Sequence, residues 1–361
     1  VSKRALAAFL EIQAALLPTR LGVTTGSRLA FIRAPSVHGY RLLHEYSSTL
    51  QQSDRCQYLE LQQSGFAPVL SLEGTYDCVL VCATRQRNET LAYLAKGLDH
   101  CKPGGYLFLL CENTLGAKTY RTRLKELLGN GDSEPKDKCL ICWGQVDERR
   151  NGTLATTWLE ALSIQARVPL AANSPEGTQQ LLYSSAGCFS AEKLDLGSQL
   201  LLEVLPPLSG KGADFGCGYG YLSHQLLHRT AHDLTAHAIE HITLIDSEQL
   251  ALDAARRNLA TIAAERYALL WLDLTREQAP GPFDFIVCNP PCHNEHGLDY
   301  PRGQAVIAQA AAQLRPGGVL VFVANEHIPY ERELRAHFAT REAKIELLAK
   351  RDGFKVICLR T

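Results

Sequence analysis

Short apolar runs alternate with helix-length amphipathic stretches along the second half of this chain, the pattern of strands and helices in a parallel sheet. Gly212-Ala213-Asp214-Phe215 reads as the end of a strand, Gly216-Cys217-Gly218-Tyr219-Gly220 as a turn, and 221–229 as a helix. A second strand over 242–245 ends in Asp246, and a helix is expected over 247–261. The third strand, 268–272, ends at Asp273, and the fourth, 285–288, delivers Asn289-Pro290-Pro291-Cys292-His293. A helix through 305–314 is expected to stop at Pro316-Gly317-Gly318, before a fifth strand over 319–324. Runs 345–349 and 354–359 flank Arg351-Asp352-Gly353 as a hairpin. The expected fold is α/β, a doubly wound, mostly parallel sheet with an antiparallel C-terminal end.

The first half repeats part of this plan. Thr75 to Cys82 matches Pro282 to Asn289 position for position, with Cys82 in place of the asparagine. Lys102-Pro103-Gly104-Gly105 parallels Arg315-Pro316-Gly317-Gly318, and Lys138-Cys139-Leu140-Ile141-Cys142 is set against Lys355-Val356-Ile357-Cys358. Three matches in one order argue for a duplicated domain. The first copy lacks the chemistry, because Cys82-Ala83-Thr84 stands where Asn289-Pro290-Pro291 should be and no alternating-glycine turn precedes it. The domains are therefore expected at 1–150 and 176–361, joined by a linker over 151–175.

Composition fits a globular protein, with 46% apolar and 21% charged residues in 361. No stretch approaches the ~20 apolar residues of a membrane span. The start of the chain reads as an amphipathic surface helix. Twelve cysteines are scattered, mostly inside apolar strands, which suits reduced cytosolic thiols and a cytoplasmic protein. Cys139 and Cys142 have metal-motif spacing but sit in a strand with no second ligand pair, so no metal is expected. Charge divides unevenly: residues 1–150 carry 19 basic against 15 acidic side chains, and the remainder 18 against 23. Lys118, Arg121, Arg123 and Lys125 cluster around Tyr120, and Arg85 and Arg87 sit in the loop replacing the catalytic turn. These are either solvated charges or a nucleic-acid-docking surface.

The chemistry gathers at strand ends. Neither proline of Asn289-Pro290-Pro291 donates a backbone N–H, and their fixed φ holds the carbonyls of Asn289 and Pro290 as acceptors. Such a turn suits a planar amino group, held by its two hydrogens with its lone pair left to attack. Glycines at 216, 218 and 220 let a ligand approach the backbone, although Tyr221 stands where a dinucleotide fold has its third glycine. Asp246 is placed to accept from two ribose hydroxyls, or else caps the next helix. Asp273 is placed to accept from an adenine amino group, or caps the next turn.

This ordered set resembles the class I S-adenosylmethionine-dependent methyltransferases, in which Asn-Pro-Pro marks the branch that methylates amino groups. More narrowly, the chain resembles the two-domain ribosomal RNA guanine-N2 methyltransferases of the small subunit methyltransferase C-like type. These carry an inactive copy of the fold ahead of the active one. The resemblance rests also on Gly187-Cys188-Phe189-Ser190 and on Leu194-Asp195-Leu196-Gly197-Ser198-Gln199-Leu200-Leu201-Leu202. It covers about residues 74–361. It implies tandem Rossmann-like class I methyltransferase domains, S-adenosylmethionine as cofactor, and ribosomal RNA or a ribosomal subunit as partner. It further implies a monomer that touches neither membrane nor metal.

Asp214, Gly216, Gly218 and Gly220 would line the methionine end of the cofactor, Asp246 its ribose and Asp273 its adenine. Asn289 and Pro290 would hold the guanine amino group in catalysis, Asn289 also bordering the cofactor. Phe189, Ser190, Pro291, Cys292 and His293 would meet the substrate. Cys292 departs from the family, which has an aromatic residue there to stack on the base, and Phe189, His293 and Tyr300 are the candidate substitutes. The expected reaction is methylation of guanine N2, in 16S RNA ahead of 23S RNA. The alternatives are a glutamine amide or adenine N6 as acceptor, or an RNA-binding assembly factor without activity.

Overall fold

The computed structural model describes residues 3–169, 179–191, 193–229, 239–291, 293–294, 297–298, 300–337 and 343–361. They divide into two compact units between Ser163 and Ile164. The first unit runs α1 (Lys3–Ala15), β1 (Arg28–Ile32), β2 (Ser47–Gln51), α2 (Arg55–Gln63), β3 (Tyr76–Cys82), α3 (Arg87–Asp99), β4 (Cys101–Glu112), α4 (Ala117–Leu128), β5 (Asp132–Lys136), β6 (Cys139–Gln145) and α5 (Gly152–Leu159). Its sheet has the order β2-β1-β3-β4-β6-β5, with β2 to β4 parallel and β6 and β5 antiparallel. The apolar face of α1 enters the core of this unit, where Phe9 meets Phe31 and Phe108 edge-on at 6.5 and 5.8 Å. Helix α5, inside the stretch expected as a linker, packs against α3, and 170–175 lie outside the described residues.

The second unit opens with an antiparallel ribbon, β7 (Ile164–Pro169) and β8 (Gln179–Ser184). It continues α6 (Leu196–Val204), β9 (Gly210–Phe215), α7 (Tyr221–Arg229), β10 (Ile239–Asp246), α8 (Gln249–Asn258), β11 (Tyr267–Trp271) and β12 (Phe283–Cys288). A short hairpin, β13 (His293–Asn294) and β14 (Gly297–Leu298), precedes α9 (Tyr300–Ala312), β15 (Leu314–Asn325), α10 (Tyr330–His337), β16 (Lys344–Arg351) and β17 (Phe354–Arg360). The sheet order is β11-β10-β9-β12-β15-β17-β16, parallel up to β15 and antiparallel beyond. Strand β12 is buried on both faces, as its unbroken apolar run requires: Phe285 and Val287 enter one core cluster, Ile286 and Cys288 the other.

Boundaries shift for local reasons. Helix α8 begins at Gln249 because Glu248 is its N-cap, accepting from the Leu250 N–H at 3.4 Å. Pro316-Gly317-Gly318 lies inside β15 and shifts its register against β12 between Phe283 and Phe285. Gly317 supplies the φ of +78° that this irregularity needs, and Gly104 supplies +79° at the same place in β4.

The repeat extends to single hydrogen bonds. Asp77 accepts from the Arg28 N–H and from Lys102, each at 2.7 Å, and Asp284 accepts from the Lys211 N–H and is paired with Arg315 at the same distances. The last matched pair requires a correction. Tyr106 pairs with Gln145 and Val319 with Arg360, so Ile141 corresponds to Val356, and setting Lys138 against Lys355 is displaced by two residues. A shift of two leaves every side chain on its own face of the sheet, so the apolar pattern does not reveal it.

Candidate active site

The C-terminal ends of β9, β10, β11 and β12 converge on a cavity of about 300 Å³ in the second unit. Open parallel sheets bind ligands at this edge. Gly216, Gly218, Asp246, Asp273, Asn289, Pro290, Pro291, Phe189 and Ser190 all line it. Asp214 and Gly220 do not.

The glycine turn follows from backbone geometry. Gly216 and Gly218 have φ of +73° and +54°, and the Gly216 and Cys217 N–H groups donate to the Ile245 carbonyl at 2.9 and 3.0 Å. A Cβ at Gly218 would meet nothing within 4 Å, so that glycine serves the backbone and the open cavity rather than packing. Gly220 works differently. A Cβ there would lie 3.0 Å from that of Ala255, so it lets α7 approach α8.

Asp214 lies beneath the turn, fully buried, and accepts from Ser223 Oγ at 2.7 Å and from the Ser223 N–H at 3.3 Å. Burial pushes its carboxyl up to about 7, against the opposing pull of the Ser223 bonds. It braces the turn from behind. Asp246 accepts from the Gly218 N–H at 2.8 Å and from the Glu248 N–H at 2.9 Å, and burial raises its carboxyl to about 6. Asp273 Oδ1 accepts from the Thr275 N–H and hydroxyl at 3.0 and 2.7 Å. Its Oδ2 has the Arg276 Nε at 3.6 Å but no hydrogen bond among the described residues.

Asn289 Nδ2 donates to Asp195 Oδ2 and to Ser198 Oγ, both at 2.9 Å. Asp195 is the N-cap of α6, its Oδ2 accepting from the Ser198 N–H at 2.7 Å. Neither contact is predictable from spacing, because 94 and 91 residues separate the partners. Arg302, in the first turn of α9, also lines the cavity, with Nη2 3.4 Å from Ser247 Oγ. Its place among unremarkable helix residues carries no sequence signal.

Three residues were candidates to replace the aromatic neighbour of the prolines. Phe189 is 63% exposed at the cavity, an unusual cost for a large ring. Tyr300 stacks on Tyr330, with centroids 5.4 Å apart and 20° between planes. For His293 only the backbone, in β13, is described, and Cys292 lies outside the described residues.

The corresponding position in the first unit is filled by the chain itself. By the registers of β1, β2 and β3, Phe31 occupies the position equivalent to Asp214, Arg33 that of Gly216, Gln52 that of Asp246 and Cys82 that of Asn289. Arg33 adopts φ +57° where the glycine has +73°. Its buried guanidinium donates to Ser53 Oγ at 2.7 Å and to Gln52 Oε1 at 3.4 Å, and pairs with Glu89 at 3.4 Å. Glu89 and Arg302 are both the third residue of thirteen-residue helices, α3 and α9.

The residues of the second unit fit an adenosyl cofactor. A glycine lined edge stands open, Asp246 presents a carboxylate beside it, and the buried Asp273 Oδ2 has no hydrogen-bond donor among the described residues. Among the described residues no group of three or more His, Cys, Asp or Glu could hold a metal ion, and no helix is long and apolar enough to cross a membrane.

Comparison with known proteins agrees with this geometry. Residues 179–358 match the methyltransferase small domain. Ribosomal RNA small subunit methyltransferase C of Aeromonas hydrophila is 28% identical over 320 residues, 86% of each chain. The Shewanella halifaxensis protein of the same name is 26% identical over 293 residues, 81% of this chain and 79% of the relative. Among solved structures, the T. thermophilus 16S rRNA N2 G1207 methyltransferase in complex with AdoMet and guanosine superposes with a TM-score of 0.76 at 25% identity, over 93% of this chain and 88% of that one. A tandem α/β architecture, the Asn-Pro-Pro cavity and these relatives agree: the chain belongs to the methyltransferase small domain family, as a ribosomal RNA small subunit methyltransferase C-like protein.

Proposed function

We propose that this chain methylates the N2 amino group of a guanine in 16S ribosomal RNA, using S-adenosylmethionine, and that it acts as a cytoplasmic monomer. The observation that carries the reading is the meeting of Gly216, Gly218, Asp246, Asp273 and Asn289-Pro290 around one cavity. S-adenosylmethionine supplies a methyl group already activated by its sulfonium. The protein's part is then positioning. Gly216 and Gly218 admit the cofactor to the strand ends, Asp246 accepts from its ribose and Asp273 from its adenine amino group. Asn289 Oδ1 and the Pro290 carbonyl accept the two guanine N2 hydrogens and so direct the lone pair. No strong base is required, because the surplus proton leaves after transfer. Phe189 serves as the platform for the guanine in place of an aromatic residue at 292, Ser190 and Pro291 line the same cavity, and Cys292 and His293 are assigned to the substrate by the resemblance alone.

The first unit is proposed to be a degenerate copy that docks RNA, through Arg121, Lys125 and the neighbouring Lys118, all exposed on α4, or that supports the active copy. The test is methyl transfer to small subunits lacking the modification, with 23S RNA, a glutamine peptide and adenine-containing RNA as competing acceptors. N2-methylguanosine at one position of 16S RNA is the expected product. Transfer to another acceptor, or cofactor binding without transfer, would overturn the reading.

A further inference from the structure

We propose that Asp195 and Ser198 are positioning residues for methyl transfer, fixing which way the Asn289 amide faces. The inference rests on the proposed role of Asn289 and concerns side chains to which that reading gives no part. A side-chain amide has a donor end and an acceptor end that differ little in shape, and only hydrogen-bond partners decide its orientation. An asparagine that turned its NH2 to an incoming amino group would set donor against donor.

Here the choice is made by the start of α6. Both hydrogens of Asn289 Nδ2 are used, on Asp195 Oδ2 and Ser198 Oγ at 2.9 Å each. A carboxylate only accepts, so turning the amide over would place Asn289 Oδ1 against Asp195 Oδ2 and lose a charge-assisted bond. Oδ1 is thereby directed away from α6. The carboxylate is itself held, because the same Oδ2 caps α6 through the Ser198 N–H at 2.7 Å. Gly197 completes the device. A Cβ there would lie 3.1 Å from Asp195 Oδ2 and 3.0 Å from the Phe354 ring, so only glycine leaves both in place. The Asp-x-Gly-Ser run thus acts on Asn289 from across the fold.

Three variants separate positioning from helix capping. Asp195→Ser keeps a good N-cap but is too short to reach Asn289. Asp195→Asn retains an oxygen for both the cap and the amide, and Ser198→Ala removes only the second acceptor. Methyl transfer, S-adenosylmethionine affinity and thermal unfolding are measured for each. The side-chain NH2 resonances of Asn289, assigned by their loss in Asn289→Ala, report on the amide directly. The expected result is a fall in kcat of about tenfold or more for Asp195→Ser, the equivalent of one charge-assisted bond. Ser198→Ala is expected to lose less. Cofactor affinity and melting temperature should stay near wild type, and Asp195→Asn should recover most of the activity. The Asn289 NH2 protons, shifted and protected in the wild type, should exchange freely in Asp195→Ser.

Wild-type kcat in Asp195→Ser, an Asp195→Asn no better than the serine variant, or unprotected NH2 protons in the wild type would each overturn the proposal. A protected NH2 in a wild-type protein that methylates no guanine would instead count against the proposed function and leave the amide lock standing.

Discussion

Each unit has its own sheet built on the same plan, with the same register shift and aspartate anchor, yet the two differ at the few positions that face the strand-end crevice. Asp77 and Asp284 hold equivalent backbone N–H groups at 2.7 Å, so the frame is the same. What differs is the filling. Gly216 opens the second crevice, whereas Arg33 closes the first with a buried guanidinium paired to Glu89. A frame of buried apolar strands therefore survives duplication while its crevice is rewritten by a handful of residues.

The largest expected effect falls on the turn that only the second unit retains. Asn289→Ala should lower kcat by about 10²–10³, the loss for removing one preorganised hydrogen-bonding group at a reacting centre, while leaving cofactor affinity within a few-fold. In the first unit, Arg33→Leu should cost about 3–5 kcal/mol in that unit's stability, because the buried ion pair with Glu89 loses one member, and leave kcat per folded molecule unchanged. Calorimetry should count one S-adenosylmethionine per chain in wild type. A second site would show that Arg33 does not close the first crevice.

Phe189→Ala should raise the KM for RNA by about 5- to 100-fold, the span of one lost stacking contact, and hardly alter cofactor binding. A smaller effect distinguishes Asp214 from its counterpart Phe31. The folded carboxyls of Asp214 and Asp246, at about 7 and about 6, lie above the ordinary aspartate value near 3.9. A group whose folded pKa is raised binds its proton more tightly in the folded state. Its contribution is therefore fully present below pH ~4 and is lost as pH rises through ~7. In cofactor-free protein the second unit should lose stability from pH 4 to 7, and Asp214→Asn should flatten that slope. Thermal unfolding across that range checks it.

Much of this was legible in the chain, and the reasons are local. Alternating glycines and a double proline set their own backbone, and Asp246 and Asp273 close their strands, so the sequence shows that they gather at one sheet edge. Asp214, assigned to the cofactor by resemblance, does not line the cavity: strand-end position does not say which side of a turn a carboxylate faces, and Ser223 bonds it beneath. Gly220 likewise belongs to helix packing. The partners of Asn289, and the arginine that closes the first unit, depend on contacts between distant segments. Arg33 sits in no motif, and its meaning emerges only when strand registers set it against Gly216.

Asn289 is the proposed acceptor that directs a guanine amino group. Single-turnover transfer of labelled methyl from S-adenosylmethionine to unmodified small subunits, run with wild type and with Asn289→Ala saturated in cofactor, tests it most directly. The prediction is N2-methylguanosine in 16S RNA from the wild type and a rate at least about 10²-fold lower from the variant. Equal rates would contradict it.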